Sequence, residues 1–276
     1  MAMTILDGPL GTALADVGIA MPAPRWSAVA LETAPEAVRM IHASYCAAGA
    51  DVVTANTFRT TARAWGDGWQ QRVRQAVELA RDAVVPGVRV AGSIAPLEDC
   101  YRPDLSPGRA EQEHRLLAEA LASAGCDILL CETFPQVDEA LAAVRAAAST
   151  GVSTWAALTA GPEADLLTPA EVGDAARAAV DAGASVVLVN CIPASRTLPY
   201  VEAISGCGVP FGAYANAGRV DEGMGWGPAP DAATRYLEHA ATWVDAGATM
   251  VGSCCGTPVA VTRELVARYG RRTPRS

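Results

Sequence analysis

Two adjacent cysteines, Cys254 and Cys255, stand where the apolar run Met250-Val-Gly-Ser253 gives way to a Gly-rich turn, and a third, Cys191, ends the run Val186-Val-Leu-Val-Asn190. Neighbouring cysteines are poorly placed to bond to each other, because a disulfide wants its Cα atoms farther apart than one peptide link usually sets them. Two neighbouring thiolates can instead be ligands of a soft or borderline metal, with a third thiolate arriving from elsewhere in the fold. A tetrahedral zinc with three protein ligands keeps one position open, and an open position separates a catalytic zinc from a structural one. These residue types therefore point to Zn2+ chemistry and to an enzyme. That Cys191 lies near the other two is an assumption that only the fold can supply.

Other chemistries drop out. No lysine occurs in the 276 residues, and every basic residue other than the three histidines is arginine. Schiff-base chemistry and pyridoxal-phosphate anchoring need a lysine amine, and so does a P-loop. His42, His114 and His239 fall within helix-like stretches, which argues against a histidine base and against imidazole in the metal set. A formal net charge of −9 disfavours nucleic acid or an anionic membrane as partner, and no apolar run approaches bilayer-spanning length. Eight cysteines in a chain of this length do not make a disulfide scaffold. The N-terminus Met1-Ala-Met-Thr-Ile-Leu-Asp7 lacks the basic leader and apolar segment of a signal peptide. A reduced, cytoplasmic enzyme is the expectation.

The elements that must position the cysteines repeat. Ala48-Gly-Ala-Asp-Val-Val53, Ala124-Gly-Cys-Asp-Ile-Leu129, Ala182-Gly-Ala-Ser-Val-Val187 and Ala246-Gly-Ala-Thr-Met-Val251 each place a glycine at a helix end, followed by a strand-forming run. Weaker copies complete eight strands near 3–7, 51–56, 88–94, 127–132, 153–159, 185–191, 209–215 and 249–255. Helices are expected near 35–48, 69–84, 109–124, 136–149, 168–182, 196–205, 229–246 and 258–269, with Pro35 and Pro169 in first turns and Thr168 and Thr257 as N-caps. Near-continuous apolar strands alternating with amphipathic helices imply a parallel sheet covered by helices. Eight such units close most naturally into an α/β (β/α)8 TIM barrel, one domain over residues 1–270, with 271–276 as a flexible tail. An open doubly wound sheet is the alternative.

In such a barrel the chemistry sits at the strands' C-terminal ends. The eight ends deliver Asp7 and Gly8; Asn56 and Thr57; Gly92 and Ser93; Cys131, Glu132 and Thr133; Thr159; Asn190 and Cys191; Tyr214 and Asn216; and Ser253, Cys254 and Cys255. Alternation sends Cys131 and Glu132 to opposite faces, and Glu132 is expected to point inward. Cys46, Cys100, Cys126 and Cys207 are read as packing residues. Asp7 equally suits a turn cap, and Asn216 a loop stabiliser.

Taken in order, Leu6-Asp-Gly-Pro-Leu-Gly-Thr12, Trp26-Ser27, Gly49-Ala-Asp-Val-Val-Thr-Ala-Asn-Thr-Phe58, Gly92-Ser-Ile-Ala-Pro96, Cys131-Glu-Thr-Phe-Pro135, Val189-Asn-Cys191, Tyr214-Ala-Asn-Ala-Gly218 and Gly252-Ser-Cys-Cys-Gly-Thr257 resemble the homocysteine S-methyltransferase family over nearly the whole chain. The resemblance implies a zinc-containing barrel that methylates the thiol of homocysteine to give methionine. It implies that Cys191, Cys254 and Cys255 hold Zn2+ with the homocysteine sulfur in the fourth position. It places Glu132 on the substrate's ammonium group and Asp7, Gly8 and Thr57 around its amino-acid end; Asn216 is a further substrate-side candidate. The chemistry is consistent, since a free thiol has a pKa of roughly 8.5 and a coordinating zinc deprotonates it outright.

Two loops, Ala95–Tyr101 and Arg219–Trp226, depart from the family pattern, and loops of this kind shape the donor site. The chain is too short for the folate and cobalamin modules of large methionine synthases and lacks the extension associated with betaine-dependent relatives. The expected partners are therefore homocysteine and a small sulfonium methyl donor, S-methylmethionine or S-adenosylmethionine, with Tyr214 and Trp226 as cation–π candidates. A homo-oligomer is left open. The alternatives are a methyltransferase acting on another small thiol or selenol, and a non-catalytic zinc- or homocysteine-binding barrel.

Overall fold

The four Ala-Gly steps end four helices as expected: Gly49, Gly125, Gly183 and Gly247 have φ of 99°, 88°, 112° and 99°, the left-handed conformation that glycine adopts without a Cβ penalty. Each is followed within a few residues by a strand. The computed structural model describes residues 3–218 and 231–270. Its strands are β1 (Thr4–Ile5), β2 (Val52–Ala55), β3 (Arg89–Ile94), β4 (Ile128–Phe134), β5 (Ser153–Leu158), β6 (Val186–Pro193), β7 (Phe211–Asn216) and β8 (Met250–Ser253). All pair in parallel, in the order β1-β8-β7-β6-β5-β4-β3-β2. A parallel bridge between Leu6 and Val52 closes the ring, with Asp51 N donating to Ile5 O (2.8 Å) and Asp7 N to Val52 O (3.0 Å). The ring is a (β/α)8 barrel in a single domain. An open sheet is ruled out by the β1–β2 closure.

Alternation along the strands sorts side chains into two cores. Leu6, Val52, Ile128, Leu130, Trp155, Leu188 and Met250 fill the barrel's interior. Val90, Leu129, Cys131, Val187, Val189 and Val251 point the other way, against the helices. Burying each of these larger aliphatic side chains contributes about 1.5–3 kcal/mol, so the interior is a packed plug rather than a pore.

The eight expected helices are present close to their expected bounds, from Pro35–Ala48 to Val259–Tyr269. Thr168 forms a full capping box with Glu171. Thr257 does not cap. Pro258 occupies the N-cap position of Val259–Tyr269, and Thr257 Oγ1 donates to Cys254 O (2.8 Å), tightening the cysteine turn instead. His42 and His114 are buried on helices, and His239 lies on the helix Ala232–Asp245. Trp226, most of its loop and the tail 271–276 lie outside the described residues. No described helix is long and apolar enough to cross a membrane.

Candidate metal centre

Regular alternation would aim Cys191 at the helices, because Val187 and Val189 point there. The backbone intervenes. Cys191 has φ 52°, and the β6–β7 register slips between Asn190 and Pro193. The kink turns the Cys191 side chain into the barrel mouth. A matching irregularity lies across β5, where Thr133 has φ 64° and the β4–β5 register shifts between Glu132 and Phe134. The two bulges are tied together: Asn190 Oδ1 accepts from Thr133 N (3.2 Å) and Asn190 Nδ2 donates to Thr133 Oγ1 (2.7 Å). Left-handed backbone at a non-glycine residue costs of order 1–3 kcal/mol, and here the strain is spent on aiming one thiol.

β8 ends at Ser253, so Cys254 and Cys255 sit in the turn beyond it. Cys254 N donates to Ala215 O (2.8 Å) and Ala217 N to Cys255 O (2.9 Å), pinning that turn to β7. The result brings together the three cysteines that the sequence singled out. Cys191 Sγ lies 3.0 Å from Cys254 Sγ, Cys254 Sγ 4.0 Å from Cys255 Sγ, and all three sulfurs fall within 4.8 Å of one another. The closest pair is well beyond the roughly 2.05 Å of a disulfide, and sulfurs on one zinc at about 2.3 Å stand at most about 4.6 Å apart. The donor set fits zinc or another thiophilic ion. Hydrogen bonds from Cys191 and then Cys254 hold the Cys255 thiol well below the ordinary range. Cys254 is pushed well above it, first by its contact with Cys191. Three touching thiols cannot all ionise without a cation, so one proton leaves readily and the others stay.

Facing the sulfurs across a cavity of about 380 Å³ are two carboxylates, Asp7 and Glu132. Glu132 points inward as expected, two residues after inward Leu130, with Cys131 outward. Glu132 accepts from Ser93 Oγ and from Tyr214 Oη (2.8 Å); burial raises its pKa, against the pull of those two bonds. Asp7 bonds across to β2 rather than capping its own turn: Oδ2 accepts from Thr54 N (2.7 Å) and Oδ1 from Thr54 Oγ1 (3.1 Å). Burial, opposed by Thr54, lifts the Asp7 pKa from 3.8 to about 7. Gly8 lets the chain pass tightly beneath, since a Cβ there would lie 2.8 Å from Tyr45 Cε1 and 3.0 Å from Ser253 Oγ.

Two substrate-side candidates stand behind the cavity. The Thr57 hydroxyl is consumed by Ser93, donating to its carbonyl (3.0 Å) and accepting from its N–H (2.8 Å). Asn216 donates to Cys191 O (3.1 Å) and so braces the cysteine kink. Both support residues that line the cavity. Tyr214, a cation–π candidate on the sequence, lines the cavity and donates its hydroxyl to Glu132.

The sequence reading named the loop Ala95–Tyr101 as donor-shaping but did not single out the residues of the remaining wall. Trp26, Phe58, Cys100 and Tyr101 line the cavity, and Trp26 stacks on Phe58 with centroids 6.0 Å apart. Cys100, read as packing, is buried but forms part of this wall. Trp26 lies in the long β1–β2 connection, whose length was the available signal; Phe58 follows β2, and Cys100 and Tyr101 lie in the loop after β3. A second depression of about 550 Å³ on the outer helical layer holds exposed pairs such as Arg145–Glu111 (3.1 Å) and no comparable cluster.

Comparison with known proteins agrees with this geometry. Homocysteine S-methyltransferase of Escherichia coli (strain K12) is 28% identical over 293 residues, covering 96% of this chain and 94% of its own length. The Bacillus subtilis (strain 168) homocysteine S-methyltransferase YbgG is also 28% identical, over 96% of this chain and 94% of its own length. The crystal structure of the metallated form of the E. coli homocysteine methyltransferase MmuM matches with a TM-score of 0.81 at 26% identity, covering 97% of this chain and 96% of that one. The profile of the Homocysteine S-methyltransferase family matches residues 4–269, from the first residue of β1 to the last of the helix Val259–Tyr269. No strand of the barrel falls outside that match, and the chain belongs to the homocysteine S-methyltransferase family.

Proposed function

We propose that the protein transfers a methyl group from a small sulfonium, S-methylmethionine or S-adenosylmethionine, to the thiol of homocysteine in a zinc-dependent reaction, giving methionine. The observation that carries this reading is the juxtaposition of three thiols with two buried carboxylates across one cavity. Cys191, Cys254 and Cys255 would hold zinc, which when bound supplies a deprotonated, still nucleophilic substrate sulfur in its open position.

The chain's own residues then have distinct tasks. Asp7 and Glu132 receive the amino acid's ammonium group, and the arriving positive charge favours ionising both carboxyls. Ser93 and Tyr214 hold the Glu132 carboxylate in one orientation, fixing the distance from ammonium to sulfur. The substrate thiol's proton leaves to solvent on binding. In the transfer a sulfur lone pair of homocysteine forms the new S–C bond, and the donor's S–C bond electrons return to its sulfur, so the cationic sulfonium departs as a neutral thioether. Such an in-line displacement depends chiefly on positioning. Trp26, Phe58 and Tyr101 offer π faces to the sulfonium cation. No general base is required, which suits a cavity without histidine among its lining residues.

The test is metal content measured together with methionine formation from homocysteine, with S-methylmethionine, S-adenosylmethionine and betaine offered separately and cysteine and selenocysteine as competing acceptors. About one zinc per chain and turnover with one sulfonium is the expected result. Protein free of zinc after anaerobic purification, or turnover with betaine alone, would overturn it.

A further inference from the structure

Two buried ions of opposite sign meet at a single peptide bond at the start of the loop after β3. Arg59 Nη1 donates to the carbonyl of Pro96 (2.8 Å). The N–H at the other end of that same peptide, on Leu97, donates to Glu139 Oε1 (2.8 Å). Arg59 is 6% exposed and Glu139 3%. Among the described residues Arg59 has no carboxylate within ion-pair distance, and its Nε has no partner. Glu139 is further held by His114 Nε2 (3.2 Å); burial works against its charge, but the bonds from His114, Leu97 and Ser106 keep its pKa below the usual range.

The placement of this peptide gives the arrangement its meaning. Pro96 and Leu97 open the loop from β3 to the helix Ala110–Ser123, and that loop carries Cys100 and Tyr101 into the cavity wall. The Arg59 guanidinium also lies over the rings of Trp26 (4.5 Å) and Phe58 (5.2 Å), which line the same wall. One cation therefore touches all three loops that build this side. The carboxylate side is tied independently, through Thr54, Ser93 and Tyr214. A peptide presents a negative oxygen and a positive N–H, so it compensates a guanidinium at one end and a carboxylate at the other. Removing either ion leaves the other buried and under-compensated.

We propose that Arg59 and Glu139 clamp the Pro96–Leu97 peptide and thereby position Cys100 and Tyr101, together with Trp26 and Phe58, as the wall that receives the methyl donor. Both are positioning residues: they set donor recognition and leave homocysteine binding alone. The donor assignment rests on the function proposed above, whereas the clamp does not.

The test uses the full chain with its metal and reads both parts. Iodoacetamide labelling, resolved by peptide mass spectrometry, follows Cys100 with buried Cys126 and Cys131 as internal references. Glu139→Ala and Arg59→Ala should each accelerate Cys100 labelling at least about tenfold, as expected when a hydrogen bond to a buried charge is lost, with the references unchanged. Glu139→Gln, whose amide oxygen still accepts from Leu97, should stay within about twofold of wild type, a rescue consistent with a retained neutral hydrogen bond. Donor KM should rise about tenfold in the alanine variants while homocysteine KM stays constant, and the double variant should be no worse than the worse single, as for residues acting as one unit. Unchanged Cys100 labelling, or equal acceleration of Cys126 and Cys131, overturns the clamp. A homocysteine KM that rises with the donor KM overturns the donor assignment. Absence of turnover by wild type with any sulfonium would defeat the proposed function, while the labelling would still decide the clamp.

Discussion

The sulfur side and the carboxylate side of the cavity are built by different means. Glu132 reaches the mouth by unbroken alternation from Ile128 and Leu130 on β4, and Asp7 is fixed by ordinary bonds to its neighbour strand. Cys191 reaches it only through a left-handed kink, and Cys254 and Cys255 only through a turn beyond β8. On the proposed function, regular strands suffice for groups that would recognise an ammonium, because a carboxylate binds well over a range of approach. Three soft ligands of one ion would have to meet at one point, and a periodic strand cannot supply that. The difference teaches where strain is worth storing: at the centre with the strictest geometric demand.

The largest expected effect breaks the sulfur side. Cys255→Ser should lose bound zinc and turnover, by more than the roughly 10–100-fold that loss of an outer-shell partner costs. Cys207→Ser, buried away from the cavity, should keep both; elemental analysis beside the methionine assay reads the pair. Next, Glu132→Gln should retain zinc yet raise homocysteine KM by about 10²-fold, the scale for truncating a buried charge pair. Equal zinc loss in both variants would erase the distinction between the two sides. Tyr214→Phe removes one of the two bonds orienting Glu132, and about a tenfold rise in homocysteine KM is expected, with metal content unchanged.

The smallest effect concerns pH. Asp7 is raised from 3.8 to about 7 by burial, so the folded, ligand-free state binds that proton more tightly than the unfolded chain does. Ligand-free stability from this group is therefore greatest below the unfolded value and declines as pH rises towards about 7. Homocysteine binding goes the opposite way, because an ammonium prefers the carboxylate. Because the homocysteine thiol also gives up its proton on binding, the ligand for this test is methionine, which carries the same ammonium and no thiol: its affinity by calorimetry should rise by up to about tenfold between pH 6 and pH 8, and Asp7→Asn should flatten that limb. A pH dependence of methionine binding that survives in Asp7→Asn would assign it to another group.

Much of this was legible in the sequence. The helix-ending glycines and eight apolar runs imply the barrel, and the strand-end rule brings Cys191, Cys254, Cys255, Asp7 and Glu132 to one mouth. What was not legible depends on departures from periodicity. Alternation taken literally sends Cys191 outward, and no local signal at Asn190-Cys191 announces a positive φ at a non-glycine residue. The resemblance put Thr57 at the substrate's amino-acid end and Asn216 was a further substrate-side candidate; the side-chain bonds of both, to Ser93 and to Cys191 O, were not legible in the sequence. Trp26 entered only as part of the family resemblance and Tyr101 only as the end of a donor-shaping loop, because loops have no period from which a side chain's direction can be read. Arg59 and Glu139 escaped because their pairing runs through another residue's peptide.

The plug of Leu130, Trp155, Leu188 and Met250 beneath the site makes the cavity a blind well. On the proposed reaction both reactants share one doorway, and the groups for homocysteine lie on the inward faces of the strands while the donor wall is built from loops at the rim. Traffic is then last in, first out: homocysteine enters first, the donor follows, and the spent donor leaves before methionine can. Kinetically that is an ordered sequence, in which excess donor obstructs the doorway to an empty well.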